Sequence, residues 1–242
     1  MTAPLPAAVL WDMDGTIVDT EPYWMSVQGE MVKSHGGVWT AEAAKTLIGQ
    51  GMDHSARLLQ EFGVDLPQEE IIQAATDGVI DHIRSEVPWR PGAVELLREL
   101  RDRGVRTALV TMSIGRMARE VADSIPFEAF DLVVSGDEVE HSKPHPEPYL
   151  AAARALGVDA ADCVAIEDSV AGVTSAVAAG AATVGVQHML NLDDTGATAI
   201  WTTLAGRTVD DLADVLAEHR AARGADPRTR ADAPTPIVEE TP

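Results

Sequence analysis

The sequence predicts an α/β fold in which a parallel sheet carries an inserted helical unit after its first strand. Short apolar runs typical of buried strands alternate with helical patterns from about residue 93 to residue 220. Strands that alternate with helices form right-handed βαβ units, and these units build a parallel, Rossmann-like sheet. The stretch between the first strand and residue 89 holds helical patterns with few strand-like runs, which predicts the insertion.

The predicted elements follow one another in a regular order. The first strand is the apolar run 7–11, and three apolar faces between residues 21 and 88 predict helices that Gly36-Gly37 and Gly49-Gln50-Gly51 separate. The pattern returns to the sheet at Trp89-Arg90-Pro91-Gly92. Later strands are predicted at 105–110, 130–134, 164–166, 183–186 and 199–201, and later helices at 93–103, just before 130, and at 148–156, 171–179 and 209–220.

These patterns divide the chain into a Rossmann-like core, residues 1–19 and 89–220, and a helical cap, residues 20–88. The 242 residues suffice for one sizeable core with a small insertion. Residues 221–242 consist mostly of Arg, Ala, Asp, Thr and Pro. Because they offer little apolar surface to bury, we expect a disordered tail.

Composition and charge argue against several classes of partner. With 39 acidic and 18 basic residues the net charge is −21, and such a field disfavours nucleic acid and anionic membranes. No stretch approaches the ~20 apolar residues of a membrane span, and the first residues lack the pattern of an export signal. The single cysteine, Cys163, fits a buried position and cannot form an intrachain disulfide. We therefore expect a cytoplasmic protein.

Two aspartates, Asp12 and Asp14, directly follow the first strand, and Gly15 permits a sharp turn behind them. Ligands of open α/β sheets bind beyond the carboxyl ends of the strands, which is where these acids would lie. Two carboxylates so close repel each other unless a cation or a shared proton relieves them, and Mg2+ prefers such oxygen ligands. A solvated turn is the alternative, because Asp and Gly are common turn residues.

Polar residues also follow three later strands. Thr111 ends the second strand, Lys143 lies in a proline-containing loop after the third, and the fourth ends in Glu167 and Asp168. Each has an ordinary structural alternative. Thr111, or equally Ser113, would cap a helix, Lys143 would lie on the surface, and the acidic pair would complement a helix dipole.

In order and spacing these residues form the motifs D-x-D-G-T, Thr, K-P-x-P and I-E-D-S, the last followed by A-x-x-A-G. They resemble the haloacid dehalogenase (HAD) superfamily, in the helical-cap branch that includes phosphoglycolate phosphatase, sugar-phosphate phosphatases and β-phosphoglucomutase. The resemblance covers about residues 7–186. It implies an Mg2+-dependent enzyme that acts on a small phosphorylated metabolite, as a monomer or homodimer.

The resemblance also implies a role for each acid. Asp12 would be the nucleophile that forms an aspartyl-phosphate, and it would bind Mg2+ as well. Asp14 would act as general acid and then as base, with its backbone carbonyl on the metal. Asp168 would complete the protein ligands of the metal, and Glu167 would either bind the ion or lie beside its ligands.

Further residues are implied in binding. Lys143 would neutralise developing charge and steady Asp12, while Thr111 and the backbone N–H of Met112 would hold the phosphoryl group. Asp19 lies where the chain leaves the core, and with Glu21 it would line the entrance, brace the hinge or form a solvated turn. Candidate substrate residues near or in the cap are Glu21, Trp24, Met52 and Arg57.

The seven histidines show no metal-binding spacing in the sequence. His141 and His145 flank Lys143, and we expect them to be loop residues and not ligands.

We expect a phosphatase, with a β-phosphoglucomutase-like mutase as the alternative. The mutases carry a His where this chain has Trp24, and an Arg for a second phosphate where this chain has Met52, with Arg57 nearby. A dehalogenase is disfavoured because the Asp14 position is acidic, and a nicotinamide enzyme because no G-x-G-x-x-G follows the first strand. A non-catalytic binding protein on this fold would be expected to lack one of the four catalytic motifs, and all four are present.

Overall fold

A computed structural model of the chain describes residues 3–47 and 51–225. Its sheet has six strands in the order β3-β2-β1-β4-β5-β6, and every neighbouring pair is parallel. This doubly wound order confirms the predicted α/β, Rossmann-like fold. The strands are β1 (Ala8–Trp11), β2 (Arg106–Val110), β3 (Leu132–Val134), β4 (Cys163–Glu167), β5 (Ala182–Val186) and β6 (Ala199–Trp201).

Helices fill the insertion after β1 and the connections between the later strands. The insertion holds α1 (Glu21–Ser34), α2 (Ala41–Leu47), α3 (Met52–Glu61) and α4 (Gln68–Ser85). The later helices are α5 (Ala93–Asp102), α6 (Gly115–Asp123), α7 (Glu147–Leu156), α8 (Val170–Ala178) and α9 (Val209–Ala225). Within the described ranges, none of these helices is long and apolar enough to cross a membrane.

The C-terminal prediction needs a correction. The sequence predicts the last helix to end at residue 220 and disorder to begin at 221, but α9 continues to Ala225. Ala and Arg are strong helix formers, so the helix extends past its last buried residue without needing an apolar face. The rest of the predicted tail, 226–242, lies outside the described residues, as does Gly49-Gln50.

Alternate residues of β1, a central strand, face opposite sides of the sheet. Val9 and Trp11 of β1 belong to one hydrophobic cluster, and Ala8 and Leu10 belong to another. This alternation follows from the period of two in a β-strand. Cys163, at the start of β4, is buried in the second cluster as predicted.

The inserted helices have a cluster of their own, which includes Val32, Leu59 and Ile71. Helix α4 contributes to this cluster and also to the cluster beside the sheet, because its Val79 and Ile83 lie in the latter. The insertion is therefore packed on the core partly through the C-terminal half of α4.

The chain leaves and re-enters the sheet region side by side. The backbone N–H of Asp19 donates to Pro88 O (2.8 Å), and that of Arg90 donates to Ile17 O (2.8 Å). These bonds close the base of the insertion at the predicted cap boundaries, although the division into two domains itself stays a prediction.

Candidate active site

The site lies at the carboxyl ends of three neighbouring strands. β1 pairs with β2 on one side and with β4 on the other. Because the strand order reverses between β1 and β4, a crevice opens there, as in other doubly wound sheets. The backbone N–H of Asp12 donates to Ile166 O (3.0 Å), which fixes the first acid directly against the end of β4.

Lys143 lies at the centre of this crevice. Its Nζ donates to Asp12 Oδ1 (2.7 Å), Glu167 Oε1 (2.6 Å) and Val110 O (2.8 Å). These three bonds use all three protons of the ammonium group. Only 5% of the side chain is exposed, so the surface position considered from the sequence is wrong.

Glu167 is completely buried and accepts a hydrogen bond from Lys143. Besides Lys143, its Oε1 accepts a hydrogen bond from the Tyr149 hydroxyl (2.6 Å), and its Oε2 accepts one from Ser169 (3.2 Å). Gly172 makes room for this carboxyl group, because a Cβ there would lie 1.9 Å from Glu167 Oε1. Tyr149 was not identified from the sequence, where it reads as a core residue of a helix.

Burial and crowding of acids set the electrostatics. Burial and the charge of Glu167 raise the pKa of Asp12 to about 7, although Lys143 opposes the shift. Burial and the charges of Asp12 and Glu167 raise the pKa of Asp168 to about 9. Burial lowers the pKa of Lys143, but the two neighbouring carboxylates outweigh burial and raise it overall. One lysine therefore does not balance the acids of the crevice, which favours a further cation.

The donor atoms fit a hard divalent cation. Oxygens of Asp12, Glu167 and Asp168 lie within 4.8 Å of one another. Among the described residues, Asp12 Oδ2 is a buried atom with no hydrogen-bond partner. Gly15 (φ +85°) lets Asp168 approach the turn, because a Cβ at Gly15 would lie 1.9 Å from Asp168 Oδ2. An all-oxygen donor set of this kind suits Mg2+.

Hydroxyl groups hold Asp14 from both sides. Its Oδ1 accepts from Thr20 (2.5 Å), and its Oδ2 accepts from Ser113 (2.7 Å) and, at 3.4 Å, from Thr111. Neither Thr111 nor Ser113 caps a helix, because Ile114 is the N-cap of α6 and no side chain caps it. The capping alternative is wrong.

The loop after β2 is hydrogen-bonded to Asp14. Thr111 Oγ1 also accepts from the Ser113 N–H (3.0 Å), which turns the backbone around Met112. Thr20 was missed from the sequence, and Ser113 was considered only as a helix cap, although its hydroxyl and its place beside Thr111 were a usable signal. The roles of Thr111 and of the Met112 N–H in phosphate binding stay predictions.

Two acids lie at the base of the insertion. Burial and the charges of Asp14 and Asp19 raise the pKa of Glu21, so the structure brings Glu21 close to the site. Asp19 Oδ1 lies 3.2 Å from His188 Nε2, in the loop after β5. This contact joins Asp19 to the loop after β5, and nothing in the sequence pointed to His188. Whether Asp19 lines the entrance, braces the hinge or forms a solvated turn stays a prediction.

Within the described residues, the other candidate substrate residues make no hydrogen bond or ion pair with the acids at the strand ends. Trp24 is partly buried and packs against the hydrophobic cluster beside the sheet. Met52 begins α3 and is half-buried. Arg57 is exposed, and within the described part of the chain it makes no hydrogen bond or ion pair. Their roles in substrate binding stay predictions.

Comparison with known proteins agrees with the fold and the motifs. The haloacid dehalogenase-like hydrolase family matches residues 6–180, and the chain belongs to this family. The phosphorylated carbohydrates phosphatase of Thermotoga maritima is 31% identical over 187 residues, which cover 76% of this chain and 87% of that protein.

Two solved structures share the architecture. CbbY from Rhodobacter sphaeroides, as a mutant with xylulose-1,5-bisphosphate, is 25% identical with a TM-score of 0.74, over 84% of this chain and 96% of the other. β-Phosphoglucomutase from Clostridium difficile is 23% identical with a TM-score of 0.76, over 90% of this chain and all (100%) of the other. The second likeness shows the fold alone.

Proposed function

We propose that the chain is an Mg2+-dependent phosphatase that hydrolyses a small phosphorylated sugar or similar metabolite through an aspartyl-phosphate on Asp12. One observation carries this proposal. Lys143 fixes Asp12 Oδ1 at 2.7 Å, whereas Asp12 Oδ2 has no hydrogen-bond partner among the described residues. The carboxylate is thus oriented by one oxygen and available through the other, which is what a nucleophile requires.

The first step forms the covalent intermediate. A carboxylate oxygen of Asp12 attacks phosphorus, the bond from phosphorus to the ester oxygen breaks, and Asp14 gives its proton to the leaving oxygen. Thr20 and Ser113 hold the Asp14 carboxyl group for this transfer. Lys143 offsets the negative charge that develops beside Asp12.

The second step returns the enzyme to its first state. Asp14 takes a proton from water, the water oxygen attacks phosphorus, and the bond between phosphorus and the Asp12 oxygen breaks to release inorganic phosphate. Asp12, Asp168 and the Asp14 carbonyl would hold Mg2+, and we assign Glu167 to positioning Lys143. When bound, Mg2+ neutralises charge on the phosphoryl oxygens.

The charges at the site favour a substrate with one phosphate group. Within the described residues, Lys143 is the only Lys or Arg that bonds to the acids at the strand ends. Glu21 adds negative charge near Asp14, which disfavours a second phosphate and suits hydroxyl groups that donate hydrogen bonds. The named substrate class of the Thermotoga maritima relative supports a phosphorylated carbohydrate.

The proposal is tested by phosphate release from a panel of sugar and polyol monophosphates, with Mg2+ and with EDTA. We expect Mg2+-dependent release that Asp12→Asn reduces by about a thousandfold or more. Asp102→Asn is the matched control, because Asp102 is exposed and ends α5 just before β2 begins, at the ends of the strands away from the site.

β-Glucose 1-phosphate is assayed in parallel for conversion to glucose 6-phosphate. Conversion without phosphate release would replace the phosphatase with the mutase. Full activity of Asp12→Asn would remove the covalent mechanism.

A further inference from the structure

Three metal-binding side chains meet on the loop that carries Lys143. His141 and His145 lie on either side of the lysine, and Glu147 begins α7 just beyond them. One potential ligand atom from each lies within 4.8 Å of the other two. We propose that His141, His145 and Glu147 bind a divalent transition metal of the zinc class, at a site distinct from the acids around Asp12.

The distances suit a small ion. Glu147 Oε2 lies 2.7 Å from His141 Nδ1 and 3.9 Å from His145 Nδ1. A tetrahedral Zn2+ with bonds of about 2.0–2.1 Å separates neighbouring ligand atoms by about 3.3 Å. The two observed distances lie on either side of this value, so side-chain rotations can place all three atoms around one ion. His145 Nδ1 then gives up the hydrogen bond that it accepts from the Glu147 N–H (3.2 Å). The ion takes the place of the proton between His141 and Glu147.

The loop already holds these ligands in place. Glu147 Oε1 accepts the Glu140 N–H (2.8 Å), and Glu147 Oε2 accepts the His141 N–H (3.0 Å). Ser175 of α8 donates to the backbone carbonyl of His145 (2.6 Å). The backbone on both sides of the site is therefore fixed before a metal arrives, which reduces the entropy cost of binding.

The side chains remain accessible within this frame. The His141 and His145 side chains are 55% and 51% exposed, and their ring centroids lie 4.5 Å apart. Solvent can supply the remaining ligand of an ion bound to three side chains. The net charge of −21 raises the concentration of cations near the surface.

The donor atoms separate this site from the acids around Asp12. Those acids offer oxygen alone, which suits Mg2+, whereas two imidazoles and one carboxylate suit Zn2+, Ni2+ or Cu2+. Millimolar Mg2+ should therefore leave the histidine site free while it occupies the acids. An ion held by His141 and His145 would tie the loop on both sides of Lys143.

This proposal runs against the expectation from the sequence that both histidines are loop residues and not ligands. The test is calorimetric titration of the full chain with Zn2+ in an excess of Mg2+. We expect one Zn2+ per chain, with affinity reduced about tenfold or more in His141→Ala and in His145→Ala. His35→Ala is the control, because it removes an exposed histidine that is distant in sequence from His141 and His145.

A second variant separates this site from the acids. Asp168→Asn removes a carboxylate of the candidate Mg2+ site and should leave Zn2+ binding at the histidines intact. Broadening of the His141 and His145 ring-proton resonances by added Co2+ should identify the ligands independently of activity. Equal Zn2+ affinity in wild type and both loop variants, or loss of all Zn2+ binding in Asp168→Asn, would overturn the proposal.

Discussion

Ion pairs in two regions of this molecule contrast in their surroundings. At the strand ends, Lys143 is 5% exposed and bonds to Asp12 and Glu167. Between the insertion and the core, Arg84 of α4 bonds to Glu120 of α6 (2.8 Å) while 60% of the Arg84 side chain is exposed. Arg116 of α6 bonds to Asp77 of α4 in the same manner.

Burial decides what these similar pairs do. Water screens the exposed pairs, so each contributes little to stability. The buried pair has no water to replace a lost partner, so removal of one charge leaves the others unbalanced at a cost of several kcal/mol. The same burial raises the pKa of Asp12 to about 7. The exposed pairs only hold two surfaces together.

The largest effect is expected from removal of the buried charge of Lys143. Lys143→Met leaves Asp12 and Glu167 without their ammonium partner, so the free energy of unfolding in EDTA should fall by about 3 kcal/mol. Activity should fall by about a hundredfold or more. Urea unfolding and phosphate release measure the two effects. Lys45→Met, at an exposed lysine of α2, is the control, and equal stability of both variants would contradict the buried role.

A second large effect concerns catalysis and not stability. Asp14→Asn keeps an acceptor oxygen for one of the Thr20 and Ser113 hydroxyls and offers an amide N–H to the other. Because the amide cannot exchange a proton with the substrate, turnover should fall by about a hundredfold or more. Single-turnover kinetics should show both formation and hydrolysis of the intermediate slowed. An unchanged rate in either step would remove Asp14 from that step, and unfolding by urea checks that the fold is intact.

The exposed pairs should give a much smaller effect. A double-mutant cycle of Arg84→Ala and Glu120→Ala should give a coupling far smaller than the Lys143→Met effect. Because these charges face water, the coupling should weaken further at high salt. Urea unfolding of the four proteins measures it, and a coupling as large as the Lys143→Met effect would abolish the contrast between the regions.

The smallest effect is expected on the pH dependence of stability, from the half-buried side chain of His219. Burial lowers the pKa of His219 below its usual 6.5, and its Nε2 lies 3.0 Å from Gly180 O. The unfolded chain therefore binds this proton first, and stability is lost as the pH falls through about 6.5 towards the folded pKa. His219→Gln should flatten this part of the pH dependence in thermal unfolding, and an unchanged slope would contradict it.

Much of the fold and of the candidate site could be predicted because the signals are local. Several apolar strand runs lead directly into polar residues of the site, as Asp12 follows β1 and Glu167 ends β4. The insertion could be predicted because helical patterns replace strands between residues 20 and 88. The end of α9 was misplaced because its residues 217–225 include no buried side chain and so have no apolar period to detect.

Contacts between distant segments could not be predicted in this way. Asp12 and Lys143 are 131 residues apart in sequence, and Asp14 and Ser113 are 99 apart. Their distances depend on which strands are neighbours and in what register they pair. The resemblance implied that Lys143 steadies Asp12, whereas the contact between Asp14 and Ser113 was missed, and the sequence offered a distance for neither pair.

The sequence by itself determined the strand and helix alternation and the family, because both depend on patterns of nearby residues. It also predicted the site residues Asp12, Asp14, Thr111, Lys143 and Asp168, since each follows a strand or lies in a short motif. Only the tertiary structure decided that Tyr149 and Glu167 orient Lys143, that Thr20 and Ser113 hold Asp14, and that His141, His145 and Glu147 converge. The physical reason is that hydrogen bonds and burial depend on distances in space, and sheet order and loop folding set those distances.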